Sequence, residues 1–290
     1  MNEPRDTPQA NVDRATVEGF GREWTSFDQR ALPEAELQRI FADYFAVFPF
    51  ETLPPDAVGF DLGCGSGRWA RLAAERVGHL HCVDASAAAL DVARATLAAR
   101  DNVSLHLAPV DALPFADGSL DFGYSLGVLH HVPDTAAGIA SCVAKLKPGA
   151  PFLVYLYYAF DQRPAWFRAL WRASDLLRRL LSRAPYPVRY AASQALALGV
   201  YWPLARGAAW LERRGLAVEG LPLSAYRDKS FYTMRTDALD RFGTRLEQRF
   251  TRVQIAAMMT TAGLTDIRFH DGPPYWCAVG RRRSDPLDPP

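Results

Sequence analysis

Cysteine is scarce in this chain of 290 residues, and the few present exclude several chemistries. Cys64, Cys82, Cys142 and Cys277 form no C-x-x-C pair and stand at no short spacing from histidine. Neither a zinc site nor a disulfide framework is expected, so the metal assignment is none. A reducing compartment, the cytoplasm, fits that usage. A charge excess is missing as well. The formal net charge is +1, without the concentrated basic surface that a nucleic-acid partner needs. Long apolar runs are also absent. The longest, roughly residues 195–205, contains Pro203 and falls far short of the ~20 residues of a spanning helix. The start, Met1 to about Ala15, is polar, contains Pro4 and Pro8 and has no apolar h-region, so a signal peptide is not expected.

What is present is an alternation. Ala31–Phe50 has helical spacing, and Pro54-Pro55 ends it. Short apolar strands then alternate with helices. Val58–Leu62 leads into a helix over Arg68–Val77, and His79–Val83 into one over Ala87–Arg100, with Ser86 as N-cap. Val103–Leu107 and Leu120–Leu126 follow as strands, Thr135–Leu146 as a helix and Phe152–Tyr158 as the fifth strand. Between about Ala159 and Ser230 only helical pattern is found, rich in Trp, Arg and Leu. Val253–Ala262 is then a helix, and Leu264–His270 and Tyr275–Arg281 are strands turned antiparallel by Gly272-Pro273-Pro274. The expected fold class is α/β: a doubly wound, mostly parallel seven-stranded, Rossmann-like sheet with a helical insertion after strand five. The chain divides into an N-terminal arm and helix (1–50), an α/β core (51–158), the insertion (159–235), a closing helix and strand pair (236–283) and a disordered tail (284–290). Ligands bind such sheets beyond the carboxyl ends of the strands, where Asp61, Asp84, Asp111 and the residues after Tyr124 converge.

The most informative stretch is Val58-Gly59-Phe60-Asp61-Leu62-Gly63-Cys64-Gly65-Ser66-Gly67-Arg68. A strand ends in an acid, and three glycines at alternate positions precede a helix. Glycine lets the backbone approach a nucleotide-like ligand, and unpaired helix N–H groups face it. A dinucleotide-binding unit carries G-x-G-x-x-G, and that spacing argues against an NAD-dependent oxidoreductase. Together with Asp84, Asp111-Ala112-Leu113-Pro114-Phe115 and the run from Asp121 to Val132, the stretch resembles the class I S-adenosylmethionine-dependent methyltransferases of small-molecule type. The resemblance is strong over Val58–Tyr158 and moderate over the late helix and strands.

It implies S-adenosyl-L-methionine as cofactor, bound by the 51–158 core. Asp61, Gly63, Cys64, Gly65 and Gly67 would surround its methionine part, and Asp84 with Ala85 would take the ribose hydroxyls. Asp111 and Ala112 would meet the adenine, and Ser125, Leu126 and Gly127 would line the site. His130 or His131 would border the reacting centre, as a general base or as packing. A non-catalytic module that keeps the cofactor fold is the alternative, opposed by the intact glycines and acids.

The acceptor is expected to be a small or medium-sized, apolar or ring-bearing molecule. Trp24 could cover the cofactor or merely pack the N-terminal arm, and Tyr155, Tyr157 and Tyr158 point at the same rim. Asp240 to Phe250 is read as a loop whose Asp240, Glu247 and Arg249 are pocket or salt-bridge candidates. The insertion is expected to roof the acceptor pocket. Within it, Arg168, Arg172, Arg179 and Arg183 share one helix face with Leu170, Leu177, Leu180 and Leu181 elsewhere. A helix of that kind can touch anionic membrane, where a polyprenyl or quinone-like acceptor would fit. A cap with its apolar face on the core is the expectation preferred here. The sequence leaves the oligomeric state open.

Overall fold

The computed structural model describes residues 11–161 and 163–284. The first ten residues and residues 285–290, which hold most of the polar start and the tail, lie outside the described residues. Helices α1 (Arg14–Ser26) and α2 (Glu34–Tyr44) precede the sheet. Then come β1 (Val58–Leu62), α3 (Arg68–Ala73), β2 (His79–Asp84), α4 (Ala87–Thr96), β3 (Val103–Leu107), β4 (Phe122–Leu126), α5 (Thr135–Ala144) and β5 (Pro151–Tyr155). Three helices, α6 (Ala165–Leu181), α7 (Tyr186–Leu196) and α8 (Trp202–Glu212), form the insertion. The chain closes with α9 (Phe231–Gly243), α10 (Arg252–Thr261), β6 (Leu264–Phe269) and β7 (Cys277–Arg282).

The seven strands lie in the order β3-β2-β1-β4-β5-β7-β6. β1 to β5 pair in parallel, and β7 runs antiparallel to both its neighbours. Because helices cover both faces, the central strands are mostly apolar, and Phe122 to Leu126 is buried without a break. One face is packed by α2, α3 and α4, where Phe41, Phe45, Phe48, Phe122 and Tyr124 form an aromatic layer. The other is packed by α5 and α10 through Ile139, Ile255 and Met259.

Several boundaries shift from the sequence reading for local reasons. The helix expected over Ala31–Phe50 is α2, which starts at Glu34 because Pro33 cannot continue a helix backwards and stops at Tyr44 before a short 3-10 turn at Phe50–Thr52. β5 stops at Tyr155 because its partner β4 ends there, Leu126 against Tyr155 being their last pair. The chain beyond turns to a new partner, and the Phe250 N–H donates to the Tyr157 carbonyl at 2.8 Å. Asp240 lies in α9, so only residues 244–250 of the expected loop are one.

The insertion is fastened to α9: Ala197, Tyr201 and Ala205 pack on Met234, Ala238 and Phe242. A π-helical turn, Ala197–Tyr201, joins α7 to α8 just ahead of Pro203. Helix α6 turns Phe167, Trp171 and Leu181 inward, but a second apolar face is left on the outside. Its inward side carries Asp175 and Arg178, 6% and 5% exposed, bonded to each other at 2.7 Å. Arg178 also donates to the carbonyls of Thr244 at 3.0 Å and Arg245 at 3.2 Å. That charged anchorage fixes the helix with Trp166, Leu170, Leu176, Leu177 and Leu180 outward. Periodicity reveals that an apolar face exists; it does not say which way the face turns.

Candidate active site

The glycine turn and the acid of β2 build one wall. Gly63, Gly65 and Gly67 all take left-handed backbone, at φ +75°, +55° and +77°. The Gly63 and Cys64 N–H groups donate to the Val83 carbonyl, tying the turn to β2. At the end of that strand, Asp84 Oδ2 accepts the Gly65 N–H at 2.9 Å and Oδ1 accepts the Ser86 N–H at 2.8 Å. Burial raises the Asp84 pKa, and those N–H bonds oppose it. Each oxygen retains a lone pair for a hydroxyl ligand. Asp61 is buried beneath the turn with Oδ2 unpartnered, and burial pushes its carboxyl up to about 8.

Helix α1 closes over this wall. Its N-cap, Asp13, accepts the Thr16 N–H at 2.7 Å. Gly21 allows close approach to α4, since a Cβ there would lie 2.6 Å from Ser86 Oγ. Trp24 thereby rests on Gly65, whose own Cβ would stand 2.8 Å from the indole. The Arg68 guanidinium lies over the same ring at 5.4 Å.

Between this wall, α9 and the insertion lies a cavity of about 930 Å³. Of the expected cofactor residues, Gly63, Asp84, Ala85, Leu126 and Gly127 line it. Of the expected acceptor residues, Trp24, Tyr157, Asp240 and Arg249 do, together with His131. The others stand behind the surface. Asp61, Cys64, Gly65 and Gly67 shape the turn without lining the cavity, and Ser125 donates to the Leu62 carbonyl at 3.1 Å. Glu247 is buried between Arg241 at 2.8 Å and Arg249 at 2.9 Å. Burial alone would raise its pKa, but Arg249 and Arg241 outweigh it and hold the carboxyl below its usual value.

Two expectations are corrected. Asp111 and Ala112 sit on an exposed 3-10 turn and do not line the cavity; Asp111 accepts, at 2.8 Å, the N–H of Asn11, which does. Ala108 and Val110 present the apolar surface there instead. His130 is fully buried and does not line the cavity. Its ring lies 3.8 Å from that of Tyr157, both nitrogens lack partners, and burial holds its pKa well below the usual value. A ring kept neutral and enclosed is packing.

His131 differs. Its Nδ1 lies 2.6 Å from the Leu246 carbonyl, which can only accept, so Nδ1 is a donor and the lone pair of the neutral ring falls to Nε2. Nε2 has no hydrogen-bond partner and lies 3.9 Å from Asp240 Oδ1. Asp240 also accepts from the Tyr157 hydroxyl. Burial raises the Asp240 pKa, with His131 and Tyr157 pulling the other way. Glu23, buried nearby, is raised well above normal, first by burial and then by Asp240 and Asp237.

The comparisons agree with this geometry. Residues 60–154 match the family model described as a methyltransferase domain. The ubiquinone biosynthesis O-methyltransferase of Hahella chejuensis is 32% identical over 185 residues, covering 62% of this chain and 75% of that protein. Its counterpart in Xanthomonas axonopodis is 24% identical over 82% of this chain and 96% of its own. An O-methyltransferase family protein from Burkholderia thailandensis superposes with a TM-score of 0.53 at 16% identity, over 90% of this chain and 59% of that one, and so supports the fold. The chain belongs to the class I S-adenosylmethionine-dependent methyltransferases. It is an enzyme of that class, with S-adenosyl-L-methionine as cofactor.

The residues present fit that cofactor. Asp84 has acceptor capacity at the end of β2, a Cβ at Gly65 would fill the space against Trp24, and Asp61 leaves a buried oxygen unpartnered under the turn. This methyltransferase cavity also holds residues that sequence reasoning passed over: Glu23, Asp43, Arg68, Asp237, Tyr201 and Tyr226. Asp237 and Asp240 share a helix face at i, i+3, a signal available only once Phe231–Gly243 is read as a helix. Among the described residues, no group of three or more His, Cys, Asp or Glu is placed to hold a metal. No described helix is long and apolar enough to cross a membrane.

Proposed function

We propose that this methyltransferase acts on a hydroxyl of a medium-sized, apolar, ring-bearing acceptor, a lipid-like phenol of the class met in quinone biosynthesis. The carrying observation is His131, with Nδ1 committed to the Leu246 carbonyl and Nε2 unpartnered beside Asp240. A hydroxyl must lose its proton as it is methylated, and a neutral imidazole nitrogen with a free lone pair can take it. Asp240 would then steady the imidazolium, and Tyr157 would hold Asp240.

When bound, S-adenosyl-L-methionine supplies an already activated methyl group. The protein's share is therefore orientation, exclusion of water and removal of the proton. Asp84 and Ala85 would hold the ribose, the Gly63–Gly67 turn the methionine part, and Ala108 and Val110 the adenine. Helix α1, through Trp24, would cover the cofactor, and the insertion would roof the acceptor space. Small-molecule pockets span about 300–1,000 Å³, so a cavity of about 930 Å³ can hold a second molecule beside a cofactor. Trp171, Phe160, Phe167 and Leu170 give that space an apolar, aromatic wall. The names of the Hahella and Xanthomonas relatives support the same acceptor class.

The test is incubation with S-adenosylmethionine and a panel of prenylated catechols, hydroquinones, amines and thiols, with products located by mass spectrometry. O-methylation that collapses in His131→Ala is expected. Methyl transfer confined to nitrogen or sulfur, or turnover indifferent to His131, would overturn the proposal.

A further inference from the structure

We propose that the outward face of α6 seats the protein on an anionic lipid bilayer, with the mouth of the cavity against the membrane surface. The first observation is the inverted helix. Trp166, Leu170, Leu176, Leu177 and Leu180 are turned to solvent, 40–64% exposed, while the Asp175–Arg178 ion pair shares the side that packs with Phe167, Trp171 and Leu181. A turn of the helix about its axis would hide the leucines only by exposing Asp175 and by taking Arg178 from the carbonyls it caps.

The second observation is the position of the charges. At 3.6 residues per turn, Trp166, Leu170, Leu176, Leu177 and Leu180 fall within an arc of about 120°. Arg168, Arg172, Arg179 and Arg183, the last just past the helix end, fall within about 60° along one flank of it. This is the pattern of a helix lying in a bilayer interface, apolar side down and basic side among headgroups. Residues 165–214 hold nine arginines against two acidic residues, in a chain of net charge +1. The basic charge is gathered where the apolar face is. A second copy meeting this face would set arginine row against arginine row, whereas an anionic bilayer complements both features.

The third observation is the mouth itself. Leu170 of α6, Val200 and Leu204 around the start of α8, and Leu221 all line the cavity, and they are 38–52% exposed. The cavity therefore opens through apolar residues on the side that α6 shares. An acceptor dissolved in the bilayer would pass from lipid to cavity without crossing water. This rests on the acceptor class proposed above, but the docking itself does not.

The test is flotation of the ligand-free, full-length protein with vesicles, which reads binding independently of turnover. Vesicles of phosphatidylglycerol with phosphatidylcholine should carry the protein upward, and phosphatidylcholine alone should bind at least about tenfold more weakly. Leu176→Glu with Leu180→Glu should abolish flotation, and Arg172→Glu with Arg183→Glu should weaken it about tenfold or more. None of these four lines the cavity, so thermal unfolding and S-adenosylhomocysteine binding should remain near wild type. Where the double leucine variant does not fold, Leu180→Ser alone should still lower flotation. Absence of binding to anionic vesicles, equal binding to both kinds, or a dimer in sedimentation velocity that the leucine variants dissolve would each overturn the proposal. Failure here leaves the hydroxyl reading intact, because that reading is judged on product mass.

Discussion

The indole of Trp24 rests on Gly65, the middle glycine of the turn after β1, so closely that a Cβ on Gly65 would lie 2.8 Å away. Helix α1 and the glycine turn are therefore one mechanical unit. Gly65→Ala should lower S-adenosylhomocysteine affinity about tenfold in the wild-type background and less when Trp24 is already alanine. In a calorimetric double-mutant cycle the coupling should be on the order of 1 kcal/mol. Strictly additive losses would mean that the two residues act separately.

Asp84 is the acid with free lone pairs at the sheet's carboxyl rim. Asp84→Ala should weaken S-adenosylhomocysteine binding by about 1–3 kcal/mol, the worth of hydrogen bonds to a charged acceptor. Calorimetry on a variant with a normal melting transition decides it, and unchanged affinity would remove Asp84 from the ribose site.

His131→Ala should lower kcat by ~10²–10⁴, the usual contribution of a positioned base, with cofactor affinity within a few fold of wild type. Asp240→Asn should lower it less, because it leaves Nε2 in place. An equal loss of cofactor affinity and turnover in His131→Ala would point to a damaged fold.

Asp61 makes stability depend on pH. Its carboxyl ordinarily titrates near 3.8 and is pushed up to about 8 by burial, so the ligand-free native state holds this proton more tightly than the unfolded chain does. The stabilising contribution is complete below the ordinary value and is lost as pH rises through the folded one. Asp61→Asn keeps the shape without the titration. The variant should gain on wild type by on the order of a few kcal/mol as pH rises from about 5 to about 9. Paired urea titrations would show it, and a flat difference would mean that burial does not govern this carboxyl.

Asp175→Ala would leave Arg178 buried and unpaired. Loss of one partner from such a pair costs about 3–5 kcal/mol, and Arg179→Ala, removing a largely exposed partner of the same acid, should cost under about 1 kcal/mol. Similar losses in the two variants would contradict the anchoring role.

The parallel core was legible because each of its features is local. Apolar runs, the alternate glycines and an acid at a strand end require no knowledge of distant neighbours. The same holds for Ser86, which caps α4 by accepting the Ala89 N–H as expected. What was not legible depended on tertiary partners. Helix α9 escaped because Asp237 and Asp240 face the cavity, which spoils the polar-outside pattern by which a helix is recognised. Asp111 resembled a ligand-binding acid by position, but its 3-10 turn leaves it off the cavity lining and bonded to the Asn11 N–H. His130 and His131 are adjacent and chemically identical in sequence, and only the fold separates them: His131 lines the cavity with Nδ1 on the Leu246 carbonyl, and His130 does not line it.

The π-helical turn at Ala197–Tyr201 bears on how the insertion tolerates changes in length. A π turn is an α-helix carrying one surplus residue, its hydrogen bonds reaching i+5 rather than i+4. Removing Gly199, which has open space around it, would take out the surplus residue and leave the residues on either side of the turn in register, with a bend kept at Pro203, which has no N–H to give. Elsewhere in α7 or α8 a single deletion would rotate all that follows by about 100° and pull Ala205 off α9. Val200, at the cavity mouth, and Tyr201, which packs on α9, would shift most. The surplus residue is thus a place where this helical rod can shorten and alter the opening while Ala205 keeps its seat on α9.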